Sequence, residues 1–321
     1  KYDRHFQITR EEVDKFIADG TVTSNITNWP GNGDASNGET DNLAPFFDKD
    51  GDTRYNPAAG DFPMFYKEEY GSCKSNAYVY GDKSLWWVFN DKGNIHTETG
   101  GQQIGLEVHA QAFAFTTNDA INDMTFYQYH IFNRSTLTLN ETYFGQWVDP
   151  DLGNYQDDFV GCDVREGVGY VFNGDDDDEG TAGYGTAPPA LGADFFQGPR
   201  TSSNDGFDND GDGLIDEDDD PSTPEKDFEE CKMSYFVYYN NDYSNTGNPT
   251  NVTHYYNYLR GIWKDGTPME YDGTGYAPSG STSGQLCRFM FPGNTDPNGT
   301  GFQFPPRGNN NCLLYTSDAA D

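Results

Sequence analysis

The sequence predicts a mainly β fold: an antiparallel, β-sandwich-like domain with long acidic loops and a short N-terminal helix. Three observations carry this reading. Runs rich in aromatic and β-branched residues recur through the middle of the chain, the composition that suits strands. Clusters of Gly, Asn and Asp separate those runs, the composition that suits turns. Finally, 22 Tyr, 23 Phe and 5 Trp in 321 residues supply the apolar volume of a large core despite a formal net charge of −34.

The elements follow in order. Thr9 and Glu12 carry the signature of a capping box, in which each side chain satisfies an amide at the helix start. Val13, Phe16 and Ile17 then share one helical face, and Gly20 is placed to end the helix. Strands are predicted over 85–90, 106–116, 124–133 and 143–148, with shorter ones within 161–173 and at 233–239 and 286–291. In the second run Leu106, Val108, Ala110, Ala112 and Ala114 line one face, and Glu107, His109, Gln111, Phe113 and Phe115 the other. Both faces turn apolar toward Phe115, so that end is expected to be buried on both sides. Tyr255, Tyr256, Leu259 and Trp263 predict a second helix within 251–264. The domain reading is therefore an N-terminal helix and loop (1–40), a β-rich core (41–174), an acidic Gly/Pro-rich insertion (175–228) and a C-terminal β part (229–311).

The ends are read separately. Residues 312–321, CLLYTSDAAD, match codon by codon the in-frame translation of a transposase-type sequencing adapter, and are expected to be an artefact. The chain opens at Lys1, which fits a reading frame cut at both ends, so the lack of a signal peptide says nothing about secretion. Without the tail four cysteines remain: Cys73, Cys162, Cys231 and Cys287. No CxxC pair occurs, which argues against a zinc knot, and two disulfides are expected in an oxidising compartment.

Charge and hydropathy exclude some partners. With 53 acidic and 19 basic residues, the chain is repelled by nucleic acid and by anionic membranes. No stretch has the roughly 18 consecutive apolar residues of a membrane span. HExxH, GxSxG and a phosphate-cradling Gly loop with Lys are all missing, which points away from several enzyme classes.

The acidic clusters point to cations. Asp208, Asp210, Asp212, Asp216 and Asp219 fall at positions 1, 3, 5, 9 and 12 of a loop with Gly213 at position 6. Alternate residues turn oxygens inward, glycine allows the sharp turn and the last acid closes the shell around Ca²⁺. Asp48, Asp50 and Asp52 begin a second such loop, with Thr53 where Gly is expected and Asn56 or Asp61 needed to complete it. Asp149, Asp151 and Asp157 or Asp158 form a third cluster, whose mutual repulsion a cation would relieve. The alternative for this third cluster is a polysaccharide-binding or glycoside-hydrolysing site, with two carboxylates flanking the bond and Trp stacked on sugar. His96-x-Glu98 and Glu107-x-His109 flank Gly100-Gly101. On one hairpin face they would either ligate a metal or, more simply, pair across strands.

These blocks carry a family resemblance. WPGNGDA (29–35), LAPFFDKDGDTRYNPAAGDFP (43–63), YFGQWVDPDLGNYQDDFVGCD (143–163), YGTAPPALGADFFQGP (184–199) and YYNYLRGIWKDGTPMEY (255–271) are similar to large secreted proteins of Bacteroidota that end in a type IX secretion sorting domain. The 208–219 loop resembles the calcium-binding half-repeat of thrombospondin type 3 modules. The resemblance implies export and a cell-surface location, but not a mechanism, since the group has no assigned enzymatic activity. The resulting expectation is a calcium-binding structural or adhesive surface module, whose partners are Ca²⁺ and extracellular polysaccharide or another surface protein.

Overall fold

The computed structural model describes residues 2–66, 78–202, 204, 206, 215, 228–271, 275–279, 284–293 and 295–296. The chain forms two compact units. One comprises the chain up to His96 with Gln102–Thr138, the other Thr97–Gly101 with the chain from Leu139. The architecture is mainly β, in several antiparallel sheets with few helices. Among the described residues no helix is long and apolar enough to cross a membrane.

In the first unit the chain opens with strand β1 (Phe6–Thr9) and helix α1 (Arg10–Asp19). The capping box forms as read: Thr9 Oγ1 accepts from Glu12 N at 3.2 Å, and Glu12 Oε2 accepts from Thr9 N at 3.0 Å. Gly20, at φ 77°, ends the helix and donates to Phe16 O. Val13 and Phe16 are buried, but Ile17 is 48% exposed, so the apolar face is narrower than its spacing suggested. A one-turn helix α2 (Ser24–Thr27) follows, then the short pair β2 (Phe46–Phe47) and β3 (Phe62–Pro63). Strands β4 (Lys83–Asn90), β5 (Leu106–Ala114) and β6 (Phe126–Asn133) complete a sheet in the order β1-β4-β5-β6.

The core of this unit gathers Ile8, Val13, Ile26, Trp29, Phe62, Phe65 and Trp86. Residues 6–29, read from composition as a helix and loop apart from the β core, therefore pack within it, and β1 pairs with β4. The end of β5 near Phe115 is half-buried and not buried on both sides. There Phe113 stacks on Phe126 at 5.2 Å and Phe115 meets both rings edge-on.

In the second unit β7 (Asp158–Asp163) and β8 (Val168–Asn173) form a hairpin. A short pair follows, β9 (Asp177–Asp178) with β10 (Gly185–Thr186). Then β11 (Ala190–Asp194) joins the edge of β8, so part of the 175–228 insertion is sheet. Its exposed, small residues suit an edge strand and gave no apolar signal. β12 (Arg200–Ser202) pairs with β13 (Phe228–Glu230). Helix α3 (Val252–Tyr258), capped by Asn251, is shorter than the 251–264 span expected of it.

Three predicted strands do not form ladders. Residues 143–148 have no strand partner; Tyr143 meets Tyr256 edge-on at 5.8 Å and Gly145 lies against Leu259, so the segment packs by side chains against the α3 region. Residues 233–239 and 286–291 make isolated bridges, Phe236 to Phe289 and Leu286 to Glu270. Cys162 and Cys287 are free thiols, so the two disulfides expected do not both form, and Cys73 lies outside the described residues. Cys162 and Cys287 sit in apolar cores with Sγ donating to Met290 O and Phe289 O, and burial pushes the Cys287 thiol up to about 12. Thiols so placed are small core groups and not reactive ones.

Thr9→Ala removes a capping acceptor and is expected to lower the stability of the first unit by about 1 kcal/mol. Lys15→Ala, which breaks an exposed i,i+4 pair with Glu11, is expected to leave it essentially unchanged. Urea unfolding followed by Trp fluorescence measures both.

Candidate metal centre

Asp48, Asp50 and Asp61 converge. Among the described residues they are the group whose carboxylate oxygens all lie within 4.8 Å of one another. That span is about twice the Ca²⁺–oxygen distance of about 2.4 Å, so one ion can touch all three. The 48–61 loop is built by amides donating to acids. Asp48 Oδ1 accepts from Gly51 N and Oδ2 from Thr53 N, both at 2.8 Å. Asp50 Oδ1 accepts from Asp52 N at 3.3 Å. Asp61, fully buried, accepts from Lys49 N at 3.0 Å and from Asn56 N at 2.8 Å.

The electrostatics follow the geometry. The Thr53 amide, helped by Gly51, holds the Asp48 carboxyl below its ordinary value. Desolvation, with repulsion from Asp52, Asp61 and Asp48, pushes Asp50 above its own. Thr53 occupies the position where a calcium loop carries Gly, and its φ is 65°. The left-handed turn is therefore made by a β-branched residue, at a cost of about 1–2 kcal/mol. Gly60 is needed as well: its φ is 105° and a Cβ there would lie 2.5 Å from Lys49 Cδ. Of the residues read from sequence, Asp48 and Asp50 are brought together and Asp61 completes the group. Asp52 turns away and accepts from Arg54 N at 2.7 Å. Asn56 contributes an amide to Asp61 and takes Ala58 N on its own Oδ1.

The stem of this loop is fastened to the core. Tyr55 N donates to Asn32 Oδ1 and Asn32 Nδ2 donates back to Tyr55 O, both at 2.8 Å. The Tyr55 hydroxyl, buried, donates to Ile26 O at 2.6 Å. Burial, with the negative charge of Asp61, raises the Tyr55 hydroxyl well above its usual range.

The other sequence candidates are placed differently. Asp208, Asp210, Asp212, Asp216 and Asp219 lie outside the described residues. Asp149 and Asp151 are exposed and do not share a three-oxygen group with Asp157. Asp157 accepts from Asn173 Nδ2 at 2.9 Å, and its hydrogen bond with Glu179 pushes the Glu179 carboxyl up. Asp158 is fully buried and accepts from Leu152 N at 3.2 Å. Asp178, which sequence reasoning passed over, is buried and accepts from Asn154 N and Tyr184 N. Asp158 and Asp178 thus hold the 152–158 turn and the β9–β10 hairpin by their backbones.

His96 and Glu98 do not meet Glu107 and His109 on a sheet face. His96 Nε2 lies 2.8 Å from Asp91 O in the loop, and Glu98 belongs to the second unit. His109 is instead the centre of a buried polar chain. Its Nδ1 is 3.0 Å from Tyr66 Oη and its Nε2 3.0 Å from Glu107 Oε1, which also takes Arg134 Nη2 at 2.9 Å. Across the β5–β6 ladder His109 faces His130, on which the Tyr66 ring lies at 4.0 Å. Burial pushes His109 below its ordinary value, against the opposing pull of Glu107.

Trp29, Trp86 and Trp263 are buried core residues. Trp147 is 66% exposed, and its indole N–H donates to Tyr239 Oη at 2.5 Å. Phe144, three residues earlier, is 48% exposed. Comparison of the chain with protein-family models, with curated proteins and with solved structures finds no match.

Because burial holds His109 below its ordinary value of 6.5 in the fold, its contribution to stability is complete above that value and is lost as pH falls below it. The unfolded chain takes up the proton first. The melting temperature of the first unit is expected to fall between pH ~7 and ~5. His109→Gln is expected to flatten that fall, which differential scanning calorimetry at several pH values measures.

Proposed function

We propose that this chain is a calcium-binding structural module of an exported cell-surface protein, β-sandwich-like in architecture and serving adhesion, not catalysis. The observation that carries the reading is the convergence of Asp48, Asp50 and Asp61. Hard carboxylate oxygens without His or Cys suit Ca²⁺ over zinc or copper. Asp61 is oriented by two amides, so it is fixed before an ion arrives. Loop carbonyls and water would fill the remaining positions of a six- to eight-oxygen shell. The 208–219 loop offers a second set of acids at calcium spacing. The similarity to type IX-exported surface proteins supports the location, and a −34 charge fits a protein that divalent cations stabilise by lowering self-repulsion.

Isothermal titration of Ca²⁺ into the chelator-treated full chain is expected to give at least one saturable site. Asp61→Asn, with Asp50→Asn as the less disruptive partner, is expected to remove one site and leave any site at 208–219. An absence of saturable binding in the unsubstituted chain would contradict the proposal.

A second reading has its own observation. The exposed Trp147 has its polar edge satisfied by Tyr239, leaving a fixed aromatic face toward solvent. Such a face stacks on the apolar side of a pyranose ring. Asp149, exposed two residues on, disfavours anionic sugars, so neutral polysaccharide is the ligand this reading assigns. Trp147→Ala is then expected to weaken binding to neutral glycans on an array by about tenfold or more, and equal binding by both forms would remove the reading.

A further inference from the structure

We infer that the free edge of β6 is an interface for a second copy of this chain, paired antiparallel about a two-fold axis near Tyr129. β6 ends the four-stranded sheet, and among the described residues no strand lies beyond it. Arg134 N donates to Gly105 O at 2.9 Å. These two residues extend the register in which Asn133 faces Leu106 and Phe132 faces Glu107. Hydrogen-bonded and non-bonded pairs alternate along an antiparallel ladder. The backbone groups of Gln128, His130 and Phe132 therefore turn toward β5. Those of Tyr127, Tyr129 and Ile131 turn outward.

The side chains at the outward positions are exposed too: Tyr127 55%, Tyr129 54% and Ile131 41%. β6 contains no Lys, Arg, Asp, Glu or Pro. Proteins normally blunt an open edge with such residues. In a chain this acidic, an eight-residue edge strand without Lys, Arg, Asp, Glu or Pro is a feature that association explains.

The flanking charges select the partner. The exposed Asp123 precedes the strand, and Arg134, partly exposed and sharing its charge with Glu107 on β5, follows it. Parallel pairing of two copies would set acid against acid and base against base. Antiparallel two-fold pairing brings the Asp123 end of each copy to the Arg134 end of the other. Centred on Tyr129, it sets Tyr129 against its mate and Tyr127 against Ile131, all of them outward-bonding positions. A two-fold edge contact is isologous and closes, so it gives dimers and not filaments.

Sedimentation velocity of the full chain over a concentration series, at an ionic strength that screens the net charge, tests this. The mass is expected to rise from 35.8 kDa toward twice that value. Tyr129→Lys sets two ammonium groups against each other and is expected to weaken the dimer by roughly tenfold or more, while Tyr129→Thr, a neutral strand former, weakens it less. In the unsubstituted chain, amide-exchange protection at Tyr127, Tyr129 and Ile131 is expected to rise with concentration while that at Gln128 and His130 stays constant. A monomer at every concentration, a dimer indifferent to Tyr129→Lys, or protection at the outward amides that does not depend on concentration would each overturn the inference.

Discussion

Fifty-three acidic side chains face nineteen basic ones, so ion pairs cannot neutralise them one to one. The fold answers mainly with backbone amides. Asp91 shows the balance: burial works against its charge, but amides of Ile104, Gly105 and Leu106 outweigh it and hold the carboxyl below its ordinary value. Asp82 takes the Thr116 amide, Asp163 those of Arg165 and Glu166, and Asp178 those of Asn154 and Tyr184. A charge-assisted bond to an amide is about twice as strong as a neutral one. Each of these acids also fixes a turn, so the same residues that load the chain with charge define its loops. Where three of them converge, as at Asp48, Asp50 and Asp61, the proposed cation would add a further partner to the amides.

The loop and the core of the first unit are one construction. Tyr55 follows the acidic turn directly, and its hydroxyl reaches the backbone of α2 while Asn32 mimics a ladder partner on its other side. Phe46 and Phe62, on the short strands beside the loop, pack into or against the same core. An ion that tightened the 48–61 turn would therefore stabilise the strand–helix core through Tyr55 and not merely order a surface loop.

Local features were legible in the sequence and long-range ones were not. The capping box and Gly20 stop depend on residues within one helix and were readable outright. β4, β5 and β6 were found within two residues at each end, because their aromatic and β-branched runs are long. β1, with four residues, and β11, made of small exposed ones, carry no comparable signal. Residues 143–148 have strand composition, but their rings find partners near α3, and a tertiary contact overrode the propensity. Asp48 and Asp50 were readable by alternation. Asp61 entered as one of two alternatives because its approach depends on how the loop returns, which spacing does not fix. Polar β5 residues His109 and Gln111 face the interior, where His109 bonds Tyr66 and Glu107 and the Gln111 amide nitrogen donates to Gln128, partners separated from them by up to 43 positions.

The central claim is that a divalent cation completes what amides begin. Thermal unfolding of the full chain in Ca²⁺ and in excess chelator, followed by the fluorescence of the buried Trp29 and Trp86, tests it directly. The account predicts a higher melting temperature in Ca²⁺, with the increment reduced in Asp61→Asn. Identical melting in Ca²⁺ and in chelator would contradict it and leave the 48–61 acids as a turn held by amides alone.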